Sequence, residues 1–563
     1  MNHSRWNILP PAPAQYLSGG SGFPPLIAQL LFNRGLTEPA RLESFITADE
    51  RLSADPFLMP GMAQAVARVY RALLCGENIA IYGDFDTDGI TATALLVQGL
   101  SSLGARVTPY IPHRVTEGHG LRTGALERLR QQGVNLVITV DCGITGVEEV
   151  KKARRMGIDI VITDHHTPLE EIPQASAVVN PKLPDSAYPF FELAGVGVAF
   201  KFFEALLRSL GKEDETDKLL DLVALGTVAD LMPLVSENRY LVKQGLKLLN
   251  TSPRLGIREM INQTGLRLGS LDTDSISWVI APRLNTTGRL EHALPSYQLL
   301  MTDSADEASK LSQWLEQKNA ERQRLTTKIV ASAREAILAE GIAPILIASD
   351  EDYPIGIVGL AAGRLSEEFY RPTVVIKVGK QVSNGSCRSI PEFNIVQALS
   401  QCRELFSNFG GHPQAAGFTL PTKNLPRLKA ALLEMASDEL AGVDLRPHLD
   451  IDAEIRLTDL GGDTLPTLEK LAPFGRGNPH PTFLSRRVEV IDCRAMGANG
   501  DHLRLRLLQD GFLWDGVAFQ AGDCRKDIVS PLDIVFNLEV DQWRGEERLR
   551  LNLLDFAPAK ALA

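Results

Sequence analysis

Residues 83–89 read GDFDTDG and come directly after an apolar segment at residues 79–82. Asp141 follows another apolar segment, and residues 164–166, Asp-His-His, follow a third. Open α/β sheets form their sites beyond the carboxyl ends of their strands, so these side chains are expected to meet at one edge of a sheet. Carboxylates crowded at such an edge repel one another, and a divalent cation would remove that repulsion. The spacing therefore predicts a metal site.

The types of residue indicate which metal and which reaction. Asp84, Asp86 and Asp88 alternate along one loop, so their oxygens can converge on one point, and Asp230 ends a further apolar segment. Carboxylates combined with an imidazole suit Mn²⁺ or Mg²⁺ better than zinc. So many ligands predict two ions that share a bridging carboxylate, an arrangement that clamps the attacking and leaving oxygens in phosphoester hydrolysis. A calcium loop is the weaker interpretation, because the glutamate that closes an EF-hand loop is missing and a strand precedes the segment.

The segments around these residues must hold them in a sheet. Apolar segments typical of strands alternate with longer helical segments, which predicts a parallel, doubly wound sheet. The predicted strands cover residues 79–82, 107–111, 136–140 and 158–163, and the predicted helices cover residues 90–103, 123–132 and 145–156. Residues 194–250 read as mainly helical.

The chain of 563 residues is long enough for several domains. A charged segment with apolar positions at helical spacing, residues 303–340, predicts a connecting helix, and strand and helix signals start again near Pro344. Residues 503–507 and 548–553 alternate with a period of two, which predicts a small β-barrel such as an OB-fold. We therefore expect an irregular N-terminal arm at 1–55, a doubly wound α/β domain at 56–300, the connecting helix at 301–343, a second, smaller α/β domain at 344–444 and the barrel at 445–563.

The net charge of −11 gives no sign of a generally basic surface. Proteins that neutralise many phosphates usually carry such a surface, so a polyanionic partner would have to be held by local basic groups. The six cysteines form no CxxC pair, and residues 1–10 lack the order of a signal peptide. No apolar run approaches the length of a membrane span. These features predict a cytoplasmic protein with no membrane contact.

The acidic motifs carry a family resemblance. Taken in order, residues 83–89, 140–143, 164–166 and 226–230 resemble the motifs of the DHH phosphoesterases. Further segments are similar, within that superfamily, to the RecJ family of bacterial single-strand-specific 5′→3′ exonucleases: APRLN and GR within residues 281–289, SCRS at residues 386–389 and GGH at residues 410–412. The resemblance extends from about Pro56 to the C-terminal β segment. It implies that the first α/β domain is a DHH domain, the second a DHHA1-type domain that binds nucleic acid, and the barrel an OB-fold.

The resemblance also implies roles for particular residues. The implied metal ligands are Asp84, Asp86, Asp88, Asp141, His165 and Asp230. The implied catalytic residues are His166, which would reach the scissile phosphate, Asp141 and Asp86. Ser386 and Arg388, with Arg114, resemble a pocket for a 5′-terminal phosphate. The implied contacts to the rest of the strand are Arg283, Asn285, Arg289, Gly410, Gly411 and His412.

The function that the resemblance implies is that of a two-metal-ion exonuclease, which degrades single-stranded DNA from a 5′ end in DNA repair and recombination. The alternative is a DHH-family phosphoesterase that acts on short oligonucleotides or nucleotide second messengers, although such enzymes lack a C-terminal barrel. A non-catalytic binding protein, like the DHH-derived scaffold of the eukaryotic replicative helicase, is disfavoured because every motif here keeps its Asp or His. The implied partners are single-stranded DNA, a helicase and a single-strand-binding protein, and nothing in the sequence demands more than a monomer. The choice between Mn²⁺ and Mg²⁺, and any activity on RNA, stay open.

Overall fold

The computed structural model describes residues 4–20, 22–114, 116–461, 464–497, 499–543 and 546–559. The chain divides into two compact units. One unit is Glu50–Val443, and the other combines Met1–Asp49 with Asp444–Ala563. Within the described ranges, no helix has both the length and the apolar composition that crossing a membrane requires.

The first part of the Glu50–Val443 unit is built on a sheet of five parallel strands. Across the sheet the strands are ordered Arg106–Tyr110, Asn78–Tyr82, Leu136–Val140, Asp159–Thr163 and Ala177–Val179. The prediction of a doubly wound parallel sheet is confirmed. The strand Ala177–Val179 was not predicted, because its 3 residues are too short to show a periodic pattern.

The strand order reverses between two neighbours, Asn78–Tyr82 and Leu136–Val140. The strand Arg106–Tyr110 lies between them in the chain but outside them in the sheet. Open α/β sheets bind ligands at such a reversal, beyond the carboxyl ends of the strands. Residues 83–89 follow the first neighbour and Asp141 follows the second. The topology therefore brings the acidic motifs to one place.

Helices cover both faces of this sheet. Alternate residues of the strand Asn78–Tyr82 belong to different cores: Ile79 and Ile81 pack in one cluster, and Ala80 and Tyr82 in another. This division explains why the strands are apolar on both faces, as parallel strands between two helical layers usually are. The α-helices of this part are Met62–Cys75, Thr87–Ser102, Thr123–Gln131, Val147–Arg155, Gly195–Leu210, Leu220–Ala229, Ser236–Thr251, Leu255–Thr264, Ala281–Leu290 and Leu294–Met301.

A single helix, Ala305–Glu340, leads to the second α/β part, as predicted. Its first turn is capped by Ser304, whose hydroxyl accepts a hydrogen bond from the Glu307 amide. Leu315 packs into the core of the first part, whereas Ile329 packs into the core of the second. The helix therefore belongs to both cores and stabilises each of them.

The second α/β part is a mixed sheet covered by helices. Its strands are ordered Asn408–His412, Ala415–Pro421, Val382–Arg388, Thr373–Lys377 and Leu346–Asp350. Only the last two of these pair in parallel. Its α-helices are Val358–Phe369, Ile395–Gln401 and Leu425–Glu439.

The other unit contains a β-barrel. Its strands are ordered Ala453–Glu454, Phe483–Met496, His502–Gln509, Phe512–Ala518, Glu546–Pro558 and Leu532–Trp543. Pairing of Phe483–Met496 with Leu532–Trp543 closes the barrel, which confirms the predicted OB-like fold. A short helix, Thr464–Glu469, precedes the long strands.

The described residues of the N-terminal segment form a strand and helices, so the prediction of an irregular arm at 1–55 is wrong. The strand Arg5–Ile8 pairs in parallel with His448–Ile451. Two helices, Pro25–Asn33 and Pro39–Thr47, place apolar side chains in the core of the barrel. Each of these helices begins with a proline, which has a backbone angle suited to the first helical position. The prolines that suggested irregular structure instead mark where helices start.

Candidate active site

The loop at residues 83–89 is fixed by hydrogen bonds at the start of the helix Thr87–Ser102. Asp86 caps this helix, because its Oδ1 accepts from the Gly89 amide at 3.1 Å. The Thr87 amide donates to Oδ1 of Asn285 at 2.8 Å. Asn285, which the sequence assigned to the nucleic acid, thus holds the acidic loop through its side-chain oxygen.

Asp88 lies against the start of another helix, Gly195–Leu210. Its two carboxylate oxygens accept from the Gly195 amide at 2.6 Å and from the Val196 amide at 2.8 Å. The amino end of a helix favours negative charge, so this contact stabilises an ionised Asp88. A Cβ atom at Gly195 would lie 2.5 Å from the Cβ atom of Asp141. Glycine therefore lets the helix come close to both carboxylates.

Asp141 takes the sharp turn that ends the strand Leu136–Val140. Its φ of 58° is in the left-handed region, and its amide donates to the Thr163 carbonyl at 3.1 Å. Such backbone is uncommon outside glycine and is often found at functional sites. The turn directs Oδ1 of Asp141 to 3.1 Å from Nε2 of His165.

Asp164 orients His166. One oxygen of the Asp164 carboxylate lies 2.8 Å from Nδ1 of His166, and the other accepts from the Ile144 amide at 2.9 Å. Burial alone would raise the pKa of Asp164, but the hydrogen bond and the charge of His166 lower it. Burial also acts to lower the pKa of His166. The Asp164 carboxylate outweighs burial, so the pKa of His166 is raised above its usual value. Nδ1 of His166 therefore faces Asp164, and it also lies 4.0 Å from Oδ1 of Asp141.

The predicted ligands, together with His166, meet in three groups, in each of which the possible ligand atoms lie within 4.8 Å of one another. The groups are Asp84 with Asp86 and Asp141; Asp88 with His165 and Asp230; and Asp141 with His165 and His166. We call Asp84, Asp86, Asp88, Asp141 and Asp230 the carboxylate cluster. Asp141 belongs to two of the groups, which is the position expected of a carboxylate shared by two ions.

Burial of like charges raises pKa values within the carboxylate cluster. Burial, with the neighbouring Asp86 carboxylate, raises the pKa of Asp88 to about 7. Burial and the charges of Asp88 and Asp86 also raise the pKa of Asp141 well above its usual value. Burial lowers the pKa of His165 to about 3, so its imidazole is neutral and able to bind a metal. The cluster is an unfavourable arrangement until a cation neutralises it.

A buried carboxylate oxygen without a hydrogen-bond partner supports the metal site separately from the pKa shifts. Asp84 is 3% exposed, and its Oδ1 has no hydrogen-bond partner among the residues that the structure describes. Buried carboxylate oxygens normally have a partner, so this atom is one that a cation would satisfy. Carboxylate oxygens with one neutral imidazole suit Mn²⁺ or Mg²⁺. The residues present therefore fit the predicted metal.

Three arginines, which we call the arginine cluster, lie beside the acidic loop: Arg114, Arg289 and Arg388. Arg114 places its guanidinium 4.9 Å from the ring centre of Phe85, the residue between Asp84 and Asp86. Burial lowers the pKa of Arg289 to about 9, and the charges of Arg114 and Arg388 contribute. Arg388 Nη1 donates to the Ser386 hydroxyl at 3.3 Å. The predicted phosphate-binding residues thus lie next to the predicted metal ligands.

Arg283, Gly410 and His412 were also predicted to contact the nucleic acid. Arg283 is already paired, because its Nε lies 2.5 Å from a carboxylate oxygen of Glu316 and its Nη1 donates to the Val279 carbonyl. Gly410 and His412 lie on an edge strand, two strands away from Ser386 and Arg388 in the sheet.

Small residues line one face of the sheet from the edge strand Asn408–His412 to Ser386. Gly410 is opposite Gly417, which is opposite Ser386, so these positions share one face of the sheet. Gly411 has a φ of 145°, and a Cβ atom there would lie 2.3 Å from the Ala415 carbonyl oxygen. Only glycine fits this tight approach of the two strands.

Family comparisons agree with this arrangement. Residues 78–227 match the DHH family, N-terminal domain, residues 342–438 match the DHHA1 domain, and residues 451–555 match the RecJ OB domain. The single-stranded-DNA-specific exonuclease RecJ of Bacillus subtilis (strain 168) is 38% identical over 538 residues, which cover 95% of this chain and 68% of that protein. The chain belongs to the RecJ family.

Solved RecJ structures extend the likeness to three dimensions. The crystal structure of RecJ from Thermus thermophilus in complex with Mn²⁺ has a TM-score of 0.84 and 30% identity, and the match covers 99% of this chain and 80% of that one. RecJ from the same organism in complex with Mg²⁺ has a TM-score of 0.78 and 28% identity, with 99% and 79% covered. Those RecJ proteins bind the two ions that the donor types of this chain predict.

The RecJ motifs did not reveal every residue of the site. Asp164 was counted among the acidic residues at strand ends but was given no role. Its contact with Nδ1 of His166 depends on side-chain orientation, which the sequence does not show. His119 was missed: its Nδ1 lies 3.1 Å from Oδ2 of Asp84, and the Asp84 carboxylate raises the pKa of His119 to about 9. The one available signal was a histidine between two glycines after a predicted strand.

Proposed function

We infer that this protein is a metal-dependent exonuclease that hydrolyses single-stranded DNA from its 5′ end. One observation carries the inference: Phe85, within the acidic loop, lies under the guanidinium of Arg114. A phosphate-binding arginine therefore lies against the loop that carries metal ligands, as cleavage close to a phosphorylated end requires. Membership of the RecJ family supports the same activity and a role in DNA repair and recombination.

The metal would be held by six side chains. They are Asp84, Asp86, Asp88, Asp141, His165 and Asp230. Two Mn²⁺ or Mg²⁺ ions bound there would supply Lewis acidity to the phosphodiester and lower the pKa of a water molecule. The protein itself contributes the orientation of these ligands, through the helix start that binds Asp88 and the turn that directs Asp141.

His166 would contact the scissile phosphate directly. Asp164 accepts from Nδ1 of His166, so Nε2 is the nitrogen left for a substrate. Because Asp164 raises the pKa of His166, the protonated ring can donate from Nε2 to a non-bridging phosphate oxygen. Such a donor stabilises the charge that develops there during hydrolysis. Asp141 and Asp86 would act at the same centre as ligands of the metal.

The terminal phosphate would bind to Ser386, Arg388 and Arg114. Arg388 is oriented by its hydrogen bonds to the Ser386 hydroxyl and the Cys387 carbonyl. The helix Val358–Phe369 begins beside them, since a Cβ atom at Gly359 would lie 3.0 Å from the Ser386 hydroxyl. Arginine donors at the amino end of a helix form a suitable site for a phosphate dianion. A pocket for a terminal phosphate would make the enzyme start at a 5′ end.

The rest of the strand would follow the remaining predicted residues. Arg289 is close enough to both Asp86 and Arg388 for their charges to act on its pKa, and from there it would bind the first internal phosphate. Arg283 and the edge strand at 410–412 would act further from the bond that is cut, and Asn285 acts by holding the acidic loop. Because Asp88 and Asp141 are each 2% exposed, a duplex would be excluded on steric grounds.

We further propose a monomer that acts in the cytoplasm with a helicase and a single-strand-binding protein. A helicase would supply the single strand that the site requires, and the six cysteines are free thiols, as a reducing compartment favours. The proposed domains are an N-terminal segment at 1–55, the DHH domain at 56–300, the connecting helix at 301–343, the DHHA1-type domain at 344–444 and the OB-fold at 445–563.

A cleavage assay tests the function. The substrates are a long 5′-phosphorylated single strand with a label on its 5′ phosphate, the same strand in a blunt duplex, and a dinucleotide. We expect Mn²⁺-dependent release of labelled mononucleotide as the first product from the single strand, and little from the duplex. Release of label only in longer fragments would contradict a start at the 5′ end. Cleavage of the dinucleotide alone would instead support a phosphoesterase for short substrates.

A further inference from the structure

Two arginines outside the proposed site continue the arginine cluster. Arg322 is on the connecting helix Ala305–Glu340, and Arg364 is on the helix Val358–Phe369 of the second α/β part. Arg322 is one of the positive groups that lower the pKa of Arg289. Burial lowers the pKa of Arg322, and the charges of Arg364 and Arg283 contribute. Arg322 therefore lies near both Arg289 and Arg364.

Neither Arg322 nor Arg364 has an acidic partner among the described residues. Arg322 is half-buried, and its Nε is buried without a hydrogen-bond partner in the part of the chain that the structure describes. Neither side chain forms a salt bridge with a described residue, whereas the nearby Arg283 is paired with Glu316. A half-buried guanidinium without a counter-ion is unfavourable, and removing it from water costs free energy that no carboxylate returns. Arg322 is thus arranged to receive an anion from outside the protein, and the exposed Arg364 adds a second unpaired positive charge near it.

The phosphates of a bound strand can be assigned in order. This step rests on the proposed function. Ser386, Arg388 and Arg114 account for the terminal phosphate, and the metal ligands with Arg289 account for the scissile one. Arg322 is close enough to Arg289 for its charge to act there, so the next phosphate along the strand is the one left for it to bind. We propose that Arg322 and Arg364 form a phosphate-binding subsite for the part of the strand on the 3′ side of the scissile bond.

Substrate length separates this subsite from the rest of the site. A 5′-phosphorylated dinucleotide has only the terminal and scissile phosphates, so it cannot reach the subsite. In the full chain, Arg322→Gln should lower kcat/KM on a long 5′-phosphorylated single strand about 10-fold, as loss of a charged hydrogen bond does. On the dinucleotide the same variant should match the wild type. The slope of log kcat/KM against log salt concentration for the long strand should become shallower by about 0.7, the value for one phosphate contact to a single strand.

A matched control and a second variant complete the experiment. Arg324→Gln removes an exposed arginine from the same helix and should leave both substrates unaffected. Arg364→Gln changes an exposed side chain, so it tests the subsite even if Arg322→Gln does not fold. Equal losses on both substrates, or no loss on the long strand, would overturn the proposal. A wild-type chain that cuts neither substrate would refute the nuclease function instead, and anisotropy binding of the long strand by the same variants would then decide on the subsite.

Discussion

The carboxylate cluster and the arginine cluster are both groups of like charges withdrawn from water, but they have opposite sign. In the carboxylate cluster, burial and then this repulsion raise the pKa values, with that of Asp88 at about 7. In the arginine cluster, burial and then the repulsion lower the pKa of Arg289 to about 9. The charge of Asp86 acts on Arg289, but among the described residues no salt bridge joins the arginine cluster to Asp84, Asp86, Asp88 or Asp141. Each cluster therefore needs its own ligand, a cation on one side and a phosphate on the other.

A buried ion pair elsewhere in the same unit shows what charges look like when the fold satisfies them. Lys201 and Glu237 are fully buried, and Nζ of Lys201 lies 3.1 Å from Oε1 of Glu237. Tyr188 donates to the other carboxylate oxygen of Glu237 at 2.5 Å. This network is complete without a ligand. The difference indicates that the two like-charged clusters are retained for binding rather than for stability.

Removal of the shared carboxylate should have the largest effect. Asp141 belongs to two of the three ligand groups, so Asp141→Ala should weaken both proposed ions at once. We expect kcat/KM on a long single strand to fall at least about 1000-fold, equivalent to about 4 kcal/mol of transition-state stabilisation. The exposed Asp185 offers a control, because Asp185→Ala should retain activity. Wild-type rates in Asp141→Ala would contradict the central place of this carboxylate.

Asp164 should matter next, through His166. In Asp164→Asn the charge that raises the pKa of His166 is absent, and the pKa of His166 should fall. We expect kcat to decrease about 10- to 100-fold, as it does when a residue that orients a site is changed. The limb of the pH–rate profile on which the protonated form is lost should also move to lower pH. An unchanged pH profile with reduced kcat would indicate a purely structural role.

The arginines should differ among themselves according to their pairing. Arg388→Gln should reduce kcat/KM on a 5′-phosphorylated strand about 10-fold or more, since charge-assisted contacts to phosphate are strong. The same strand with a 5′-hydroxyl should be affected little. Arg283→Gln should change kcat/KM less than about 3-fold, because its partner Glu316 is a surface carboxylate and such pairs contribute little. Equal losses of kcat/KM in Arg388→Gln and Arg283→Gln would contradict the prediction that an arginine without an acidic partner contributes more to phosphate binding than a paired one.

The smallest expected effect is on the stability of the metal-free protein. The folded-state pKa of Asp88, about 7, lies above the value of about 3.9 for an aspartate in an unfolded chain. The folded state therefore binds this proton more tightly, and the stability it contributes is present below pH about 4 and lost as pH rises through about 7. The melting temperature of the metal-free wild type should fall relative to that of Asp88→Asn over this interval. Parallel melting curves for the two proteins across the interval would contradict the shift.

The sequence predicted the strands and the meeting of the acidic side chains because their signals are local. Apolar segments followed by aspartates mark strand ends, and a parallel sheet brings such ends together whatever the rest of the chain does. The N-terminal segment was misjudged because its prolines start helices that are stabilised by packing on the barrel, a contact distant in the chain. Asn285 was predicted to contact the DNA strand because a motif match identifies a residue but not the partner of its side chain. Its hydrogen bond from the Thr87 amide depends on side-chain orientation, which only the structure shows. Arg322 carried no signal, since a single arginine in a charged helix is usually a solvated residue.

Calorimetric titration of Mn²⁺ tests the central claim most directly. The claim is that the carboxylate cluster is a site for two ions that share Asp141. Mn²⁺ titrated into the wild-type chain should bind with release of protons, because ligands with raised pKa values must lose them. Two ions should bind per wild-type chain, and Asp141→Ala should lose tight binding of both. Unchanged Mn²⁺ stoichiometry and affinity in Asp141→Ala would contradict the account.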